Sequence, residues 1–173
     1  IYTILLAFLP IIGLNAQTIK VTFENEEIAN GDTVKVETTA GEEVKSYFFL
    51  TNMTAAPIEA RSLYSKIQTN EGDEILMCFG DCTTDSISSF VSLTPSEEYR
   101  NFDIAYTPAS DNPALIKVSL QKKNGEDAET MISFFVKYHN PDVSLPTQSK
   151  NQALGVDVYP NPMANTAVVN YYI

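Results

Sequence analysis

Apolar and polar residues alternate along the middle of the chain with a period of two. In the clearest runs every second residue is apolar: Phe102, Ile104 and Tyr106; Ile116, Val118 and Leu120; and Ile132, Phe134, Val136 and Tyr138. This is the pattern of a half-buried antiparallel strand, whose side chains point alternately to the core and to solvent. We therefore predict that these residues lie in the core.

The same strand pattern recurs from Thr18 to Tyr138, with turn residues about every 8 to 12 positions, and no segment keeps a helical period. We predict strands over Ile19–Glu24, Thr33–Thr38, Glu43–Thr51, Ile58–Gln68, Glu74–Phe79, Ser89–Leu93, Asn101–Thr107, Leu115–Gln121 and Glu129–Tyr138. Asn124-Gly125 tolerates positive φ and predicts a hairpin between the two strands beside it. The pattern indicates an all-β fold, a sandwich or a barrel.

The first 16 residues are apolar and uncharged, from Ile1 to Ala16. This segment is too short to span a bilayer as a helix, but it suits the apolar region of a signal peptide. No Met or basic region precedes it, so we expect an incomplete signal peptide at 1–16, cut before Gln17, and no transmembrane segment in the mature chain. The alternative is a core strand at the N-terminus, but no polar residue gives this run a solvent face.

After Tyr138 the composition and the pattern of apolar residues change. Residues 139–152 are polar, contain two prolines and lack any apolar period, which is typical of an extended linker. A second small unit begins near Ala153 and extends to Ile173. We expect it to be the first strands of a β domain that is cut short here.

This last segment contains the run Tyr159-Pro160-Asn161-Pro162, followed by a second apolar stretch over Ala167 to Tyr171. The two prolines fix φ and remove two amide donors, so strand pairing must stop there and the chain must turn. One interpretation is an ordinary proline-stopped turn. The run also resembles the start of the type A C-terminal sorting domain of cargo for the type IX secretion system of the Bacteroidetes. That resemblance implies that the type IX machinery is a partner.

Acidic residues outnumber basic ones by 22 to 11, which gives a net charge of −11. A negative field repels phosphate backbones and anionic membrane surfaces. We therefore expect no nucleic-acid partner and assign the charge to solubility.

Cys78 and Cys82 are the two cysteines of the chain, with Gly80 between them. A close, even pair in an exported protein favours a local disulfide, and Gly80 would give the small ring its flexibility. Free thiols are a second interpretation. A zinc site is a third, but it needs three or four ligands and only the lone histidine, His139, could add a nitrogen.

Other chemistry is sparse. Asn70, Glu71 and Asp73 cluster oxygen ligands around a glycine turn and form a weak calcium candidate, although the spacing is not that of an EF-hand and a solvated hairpin is the plainer interpretation. Asn52-Met53-Thr54 matches a glycosylation acceptor, which we take as chance. The sequence predicts no catalytic residues, no metal site beyond this candidate and no cofactor.

The Cys-Phe-Gly-Asp-Cys loop, the alternating strand after it and the closing strand Phe134-Phe135-Val136-Lys137-Tyr138 are similar to an immunoglobulin-like module found ahead of such sorting domains in Bacteroidetes. The resemblance covers about residues 18–138 and implies an immunoglobulin-like antiparallel β-sandwich over 17–138. It brings no assigned activity with it.

These observations favour a secreted or cell-surface module, routed through the periplasm, that is not an enzyme and that binds an unknown extracellular protein or glycan or has a structural role. The alternative is a calcium- or glycan-binding accessory domain of a surface degradative system. The chain has no Trp, so a sugar platform would depend on tyrosines such as Tyr47, Tyr64, Tyr99 or Tyr106. An enzyme with a site unreadable from motifs is a third hypothesis.

Overall fold

The structure, a computed structural model, describes residues 17–141 and two further strands at 156–159 and 168–171. The predicted signal peptide at 1–16 and residues 142–152 of the predicted linker at 139–152 lie outside these residues. All regular secondary structure in the described residues is β-strand. Among these residues there is no helix long and apolar enough to cross a membrane. The strands are β1 (Ile19–Phe23), β2 (Glu26–Glu27), β3 (Thr33–Glu37), β4 (Val44–Asn52), β5 (Ile58–Gln68), β6 (Glu74–Phe79), β7 (Asp81–Thr83), β8 (Val91–Leu93), β9 (Glu98–Tyr99), β10 (Phe102–Thr107), β11 (Ala114–Asn124), β12 (Asp127–His139), β13 (Val156–Tyr159) and β14 (Val168–Tyr171).

The first twelve strands form two sheets. One has seven strands in the order β2-β1-β4-β10-β6-β7, with β9 also paired to β4, and the other has five in the order β3-β12-β11-β5-β8. The predicted hairpin is present, because Asn124 pairs with Asp127 around Gly125, whose φ is 65°. The predicted all-β sandwich is confirmed.

The core lies between the inner faces of the two sheets. The alternating residues predicted on β10, β11 and β12 are all buried. Phe48 of β4 joins the layers: its ring centroid lies 5.1 Å from that of Phe102 in its own sheet and 5.2 Å from that of Phe134 in the facing sheet. Burying one such ring contributes about 1.5–3 kcal/mol, so this aromatic cluster is a main source of cohesion between the sheets.

One pairing departs from the predicted antiparallel arrangement. β3 runs parallel to the end of β12, from Thr33 opposite Phe135 to Glu37 opposite His139. Alternation reports which face a side chain occupies and is the same for both strand directions, so the sequence pattern could not reveal this. β12 also runs one residue further than predicted and ends at His139, whose ring Nδ1 lies 3.2 Å from the Val36 carbonyl oxygen.

Candidate functional site

The residues that the sequence singled out lie at the two ends of one strand, β6. The glycine turn with Asn70, Glu71 and Asp73 precedes it, and the two cysteines close a hairpin at its other end. β6 pairs with β10 along its whole length, so both ends are anchored in the seven-stranded sheet.

The cysteine end of β6 is a tight hairpin. Cys78 and Cys82 are directly opposite each other in the β6–β7 pairing and form a disulfide, with their Cα atoms 3.9 Å apart. The disulfide favoured by the sequence is therefore present, and it consumes both sulfurs. Because β7 is the outermost strand on its side of the sheet, the bond holds this short edge strand on β6.

Gly80 forms the tip of this hairpin, with a φ of 78°. Its N–H donates to the Asn101 carbonyl at 3.0 Å, and the Asn101 side-chain amide donates to the Gly80 carbonyl at 2.9 Å. A Cβ atom on Gly80 would lie 2.8 Å from Cγ1 of Val91. The tip is docked against the body of the domain, and both its backbone angle and its surroundings require glycine.

The other end of β6 is held by the carboxylate of Asp73, which is 8% exposed. One oxygen, Oδ2, accepts hydrogen bonds from the Asn70 N–H at 2.7 Å and the Tyr106 hydroxyl at 2.6 Å. The other oxygen, Oδ1, accepts one from the Ala109 N–H at 2.9 Å. Asp73 therefore ties its own turn to the end of β10 and to the loop that follows.

The pKa of Asp73 lies below its ordinary value. Burial acts in the opposite direction, since it disfavours the charged form, but the hydrogen bonds from Tyr106, Ala109 and Asn70 to the carboxylate outweigh it. The pKa of Tyr106 is strongly raised, first by burial and then by its bond to Asp73. At neutral pH Asp73 is therefore an ionised acceptor, and Tyr106 is a neutral donor that keeps its proton.

The three calcium candidates are not arranged alike. Asp73 faces inward with both oxygens engaged, Glu71 is exposed, and the Asn70 side-chain amide donates to the Asn112 carbonyl at 3.2 Å. Over 17–141, no three or more His, Cys, Asp or Glu side chains form a group that could hold a metal ion. Calcium binding stays a prediction from the sequence alone.

Asn52, from the glycosylation pattern, is a buried structural residue, 1% exposed. Its side-chain amide donates to the carbonyls of Ala56 at 2.8 Å and Leu93 at 2.9 Å, and its Oδ1 accepts from the N–H and the hydroxyl of Thr54. This structural role of Asn52 was not predicted from the sequence. The signal was available in part, because Asn followed two residues later by a polar donor is typical of an Asx turn.

The tyrosines considered for a sugar platform differ in exposure. Tyr47 is 52% exposed, whereas Tyr64 and Tyr106 are buried. Tyr106 stacks on Tyr138 with ring centroids 4.0 Å apart, inside the core. The hydroxyl of Tyr99 is also buried. Among these four, only Tyr47 presents most of its ring to solvent.

Two short strands flank the proline-containing stretch near the C-terminus. β13 pairs antiparallel with β14, from Val156 opposite Tyr171 to Tyr159 opposite Val168. Tyr159 is thus the last residue of β13, while Pro160, Asn161 and Pro162 lie outside the described residues. The described strands place a hairpin around the run that resembles a sorting motif.

Similar folds are found among proteins of known structure. No protein-family model matches the chain, and no curated protein matches it either. Among solved structures, the N-terminal domain of PorA is similar, with a TM-score of 0.61 and 20% identity over 71% of this chain and 97% of that one. The PapD-like domain 7 of human CEP192 matches with a TM-score of 0.46 and 10% identity, over 80% of this chain and 96% of that one. The PorA likeness supports the immunoglobulin-like sandwich.

Proposed function

We propose that this chain is a non-catalytic binding or structural module, carried to the outer cell surface or the medium by the type IX secretion machinery of the Bacteroidetes. The observation that carries the proposal is the β13–β14 hairpin around the Tyr-Pro-Asn-Pro run, which follows the two sheets of the sandwich in the chain. A hairpin that forms a sheet of its own suits an address that is read independently of its passenger.

The disulfide supports the extracytoplasmic part of this proposal. Disulfides form and persist in oxidising compartments and are rare where thiols are kept reduced. The Cys78–Cys82 bond fastens an outer strand. Such a bond suits a domain that folds in the periplasm and works beyond it.

The Asp73 turn supports the non-catalytic part. A buried carboxylate with a shifted pKa is the usual starting point for an active-site hypothesis. Here its donors belong to Asn70, Tyr106 and Ala109, all from the protein, and they occupy both oxygens. This buried carboxylate therefore stabilises a turn. For the domain as a binding module, we propose an extracellular protein or glycan as its partner.

A reporter fusion tests the export step. The C-terminal coding sequence of the gene, from residue 153 onward, is attached to a periplasmic reporter in a Bacteroidetes host. We expect the reporter outside the cell in the wild-type host and in the periplasm of a strain that lacks the type IX machinery.

Two results would contradict the proposal. One is a reporter that stays in the periplasm of the wild-type host. The other is a reporter that reaches the medium equally well without the type IX machinery. A fusion to residues 17–141 alone is the matched control, and we expect it to remain periplasmic in both hosts.

A further inference from the structure

The four outer strands of the two main sheets differ in length. β2 has two residues, and β7 and β8 have three each, whereas β3 has five. Proteins commonly protect sheet edges by keeping them very short, and β7 is also fastened by the disulfide. Of these four outermost strands, β3 is therefore the longest.

The hydrogen bonds of β3 show which backbone groups face outward. The Asp32 carbonyl accepts from the Phe135 N–H at 2.7 Å, and the Thr38 N–H donates to the His139 carbonyl at 2.9 Å. In a parallel ladder every second residue directs both its backbone N–H and its C=O toward the same neighbouring strand. From Asp32 to Thr38, every second residue therefore faces β12, and the residues between them face away from it. The residues whose N–H and C=O groups point away from β12 are Thr33, Lys35 and Glu37.

Open space runs beside this edge. A cleft of about 650 Å³ borders β3 and has both apolar and charged side chains in its wall. Its lining residues are Lys35, Val36 and Glu37 of β3 and, on the side of the facing sheet, Phe23, Glu24, Val44, Lys45, Tyr47 and Phe49. β1 stops at Phe23, opposite Phe48 of β4, so the beginning of β4 has no β1 partner there. The gap between the two sheets at this side leaves room for another strand to approach β3.

We propose that β3 pairs antiparallel with β3 of a second copy of this chain, on a two-fold axis at Val36. In this register Lys35 of each copy lies directly opposite Glu37 of the other, and both residues have outward-facing backbone groups. Each of the two pairs can therefore exchange two backbone hydrogen bonds and one ion pair. The two Val36 side chains share the inner face, above the cleft.

Charge selects this register over its neighbours. An axis at Lys35 would place two lysines directly opposite each other, which is destabilising, and an axis at Val34 would place Lys35 opposite Thr33. Lys35 and Glu37 are both exposed, and neither belongs to the ion pairs found within residues 17–141. Both charges are available to the second copy.

The sheet that the dimer would extend is basic, although the chain as a whole is acidic. Seven of the 11 Lys and Arg residues lie on its five strands, against four carboxylates. Carboxylates from outside this sheet also border β3, at Glu24, Glu26, Glu27 and Asp32. The resulting interface is isologous and closed, so it gives a dimer and not a fibre.

Sedimentation equilibrium on charge-reversed variants of the full chain tests the register. We expect the wild type to dimerise with a Kd below about 1 mM. Lys35→Glu and Glu37→Lys should each weaken the dimer by about tenfold or more, since each places like charges opposite each other at both pairs. The double variant Lys35→Glu/Glu37→Lys should recover the wild-type Kd, and an equal mixture of the two single variants should form a heterodimer.

Lys117→Glu on β11 and Glu126→Lys in the turn between β11 and β12 are matched controls, with the same charge changes away from β3. They should leave the Kd unchanged, and circular dichroism should show that every variant is folded. A wild type that is monomeric at about 1 mM would overturn the proposal. So would single variants that dimerise like the wild type, or a double variant that fails to recover. None of these outcomes depends on the export route, so the two proposals fail separately.

Discussion

The two ends of β6 are held in place by different kinds of bond. At one end a covalent bond joins Cys78 to Cys82 within a single hairpin. At the other, the carboxylate of Asp73 collects hydrogen bonds from its own turn, from Tyr106 and from Ala109. The covalent device is local, whereas the hydrogen-bonded device joins segments 33 and 36 residues apart. The hydrogen bonds, although weaker than the disulfide, therefore join segments that lie much farther apart in the sequence.

This difference predicts that the hydrogen-bonded end contributes more to stability. A disulfide that closes a loop with a sequence separation of 4 contributes about 2 kcal/mol in the chain-entropy model. Removing a buried acceptor leaves each of its donors unpaired, at a cost of about 1–3 kcal/mol apiece when water cannot replace it. Asp73 has four donors: the Asn70 N–H and side-chain amide, the Tyr106 hydroxyl and the Ala109 N–H.

The largest effect is expected from Asp73→Ala. We predict that it lowers the free energy of unfolding by about 3 kcal/mol, because the Tyr106 hydroxyl and two N–H groups lose their acceptor. Urea denaturation measures the change. Glu71→Ala, an exposed neighbour in the same turn, should change stability by less than about 0.5 kcal/mol. Equal losses in the two variants would show that Asp73 is no more than a turn residue.

The second effect comes from removing the disulfide with Cys78→Ser/Cys82→Ser. The expected loss is about 2 kcal/mol, and reduction of the wild-type protein should give a similar value. Combined with Asp73→Ala, the two losses should add, since the sites share no partner. A strongly non-additive result would mean that the two ends of β6 are coupled through the sheet.

The smallest expected effect is a dependence of stability on pH that arises at the Asp73 end of β6 and not at the disulfide end. The pKa of Asp73 is lower in the folded state than its ordinary value of about 4, so its contribution is complete above that value and is lost as the pH falls through the lowered pKa. The stability difference between wild type and Asp73→Asn should therefore narrow on acidification to about pH 3. The difference between wild type and Cys78→Ser/Cys82→Ser should stay constant. Urea denaturation at neutral pH and at about pH 3 measures both stability differences. A difference between wild type and Asp73→Asn that grew on acidification would contradict the prediction.

The strands that were predictable are those with a clear pattern of apolar residues. Ile58–Gln68 and Glu74–Phe79 are observed with the predicted bounds. The first begins with alternating buried residues, and the second is, after Glu74, a continuous apolar run between the turn residues Asp73 and Gly80. β2, β7 and β9 were missed because two or three residues cannot display a period. Pairing direction was also unpredictable, since β3 has the same alternation whether it lies parallel or antiparallel to β12.

The candidate site divides in the same way. The disulfide was predictable because both partners lie within five residues of sequence. The role of Asp73 was not, since its decisive partners, Tyr106 and Ala109, come from another part of the chain. Asn-Glu-Gly-Asp has the same local composition whether the last carboxylate faces a cation or a buried tyrosine. Only the fold distinguishes the two arrangements.

Asn52 has a practical consequence for producing this protein. Its amide nitrogen uses both of its hydrogens inside the domain, on Ala56 and Leu93. A eukaryotic secretory host would meet the Asn-Met-Thr acceptor on the nascent polypeptide and could attach an oligosaccharide before this corner closed. The bulky sugar has no place beside Leu93, so such a host would yield misfolded material, whereas a bacterial host would not.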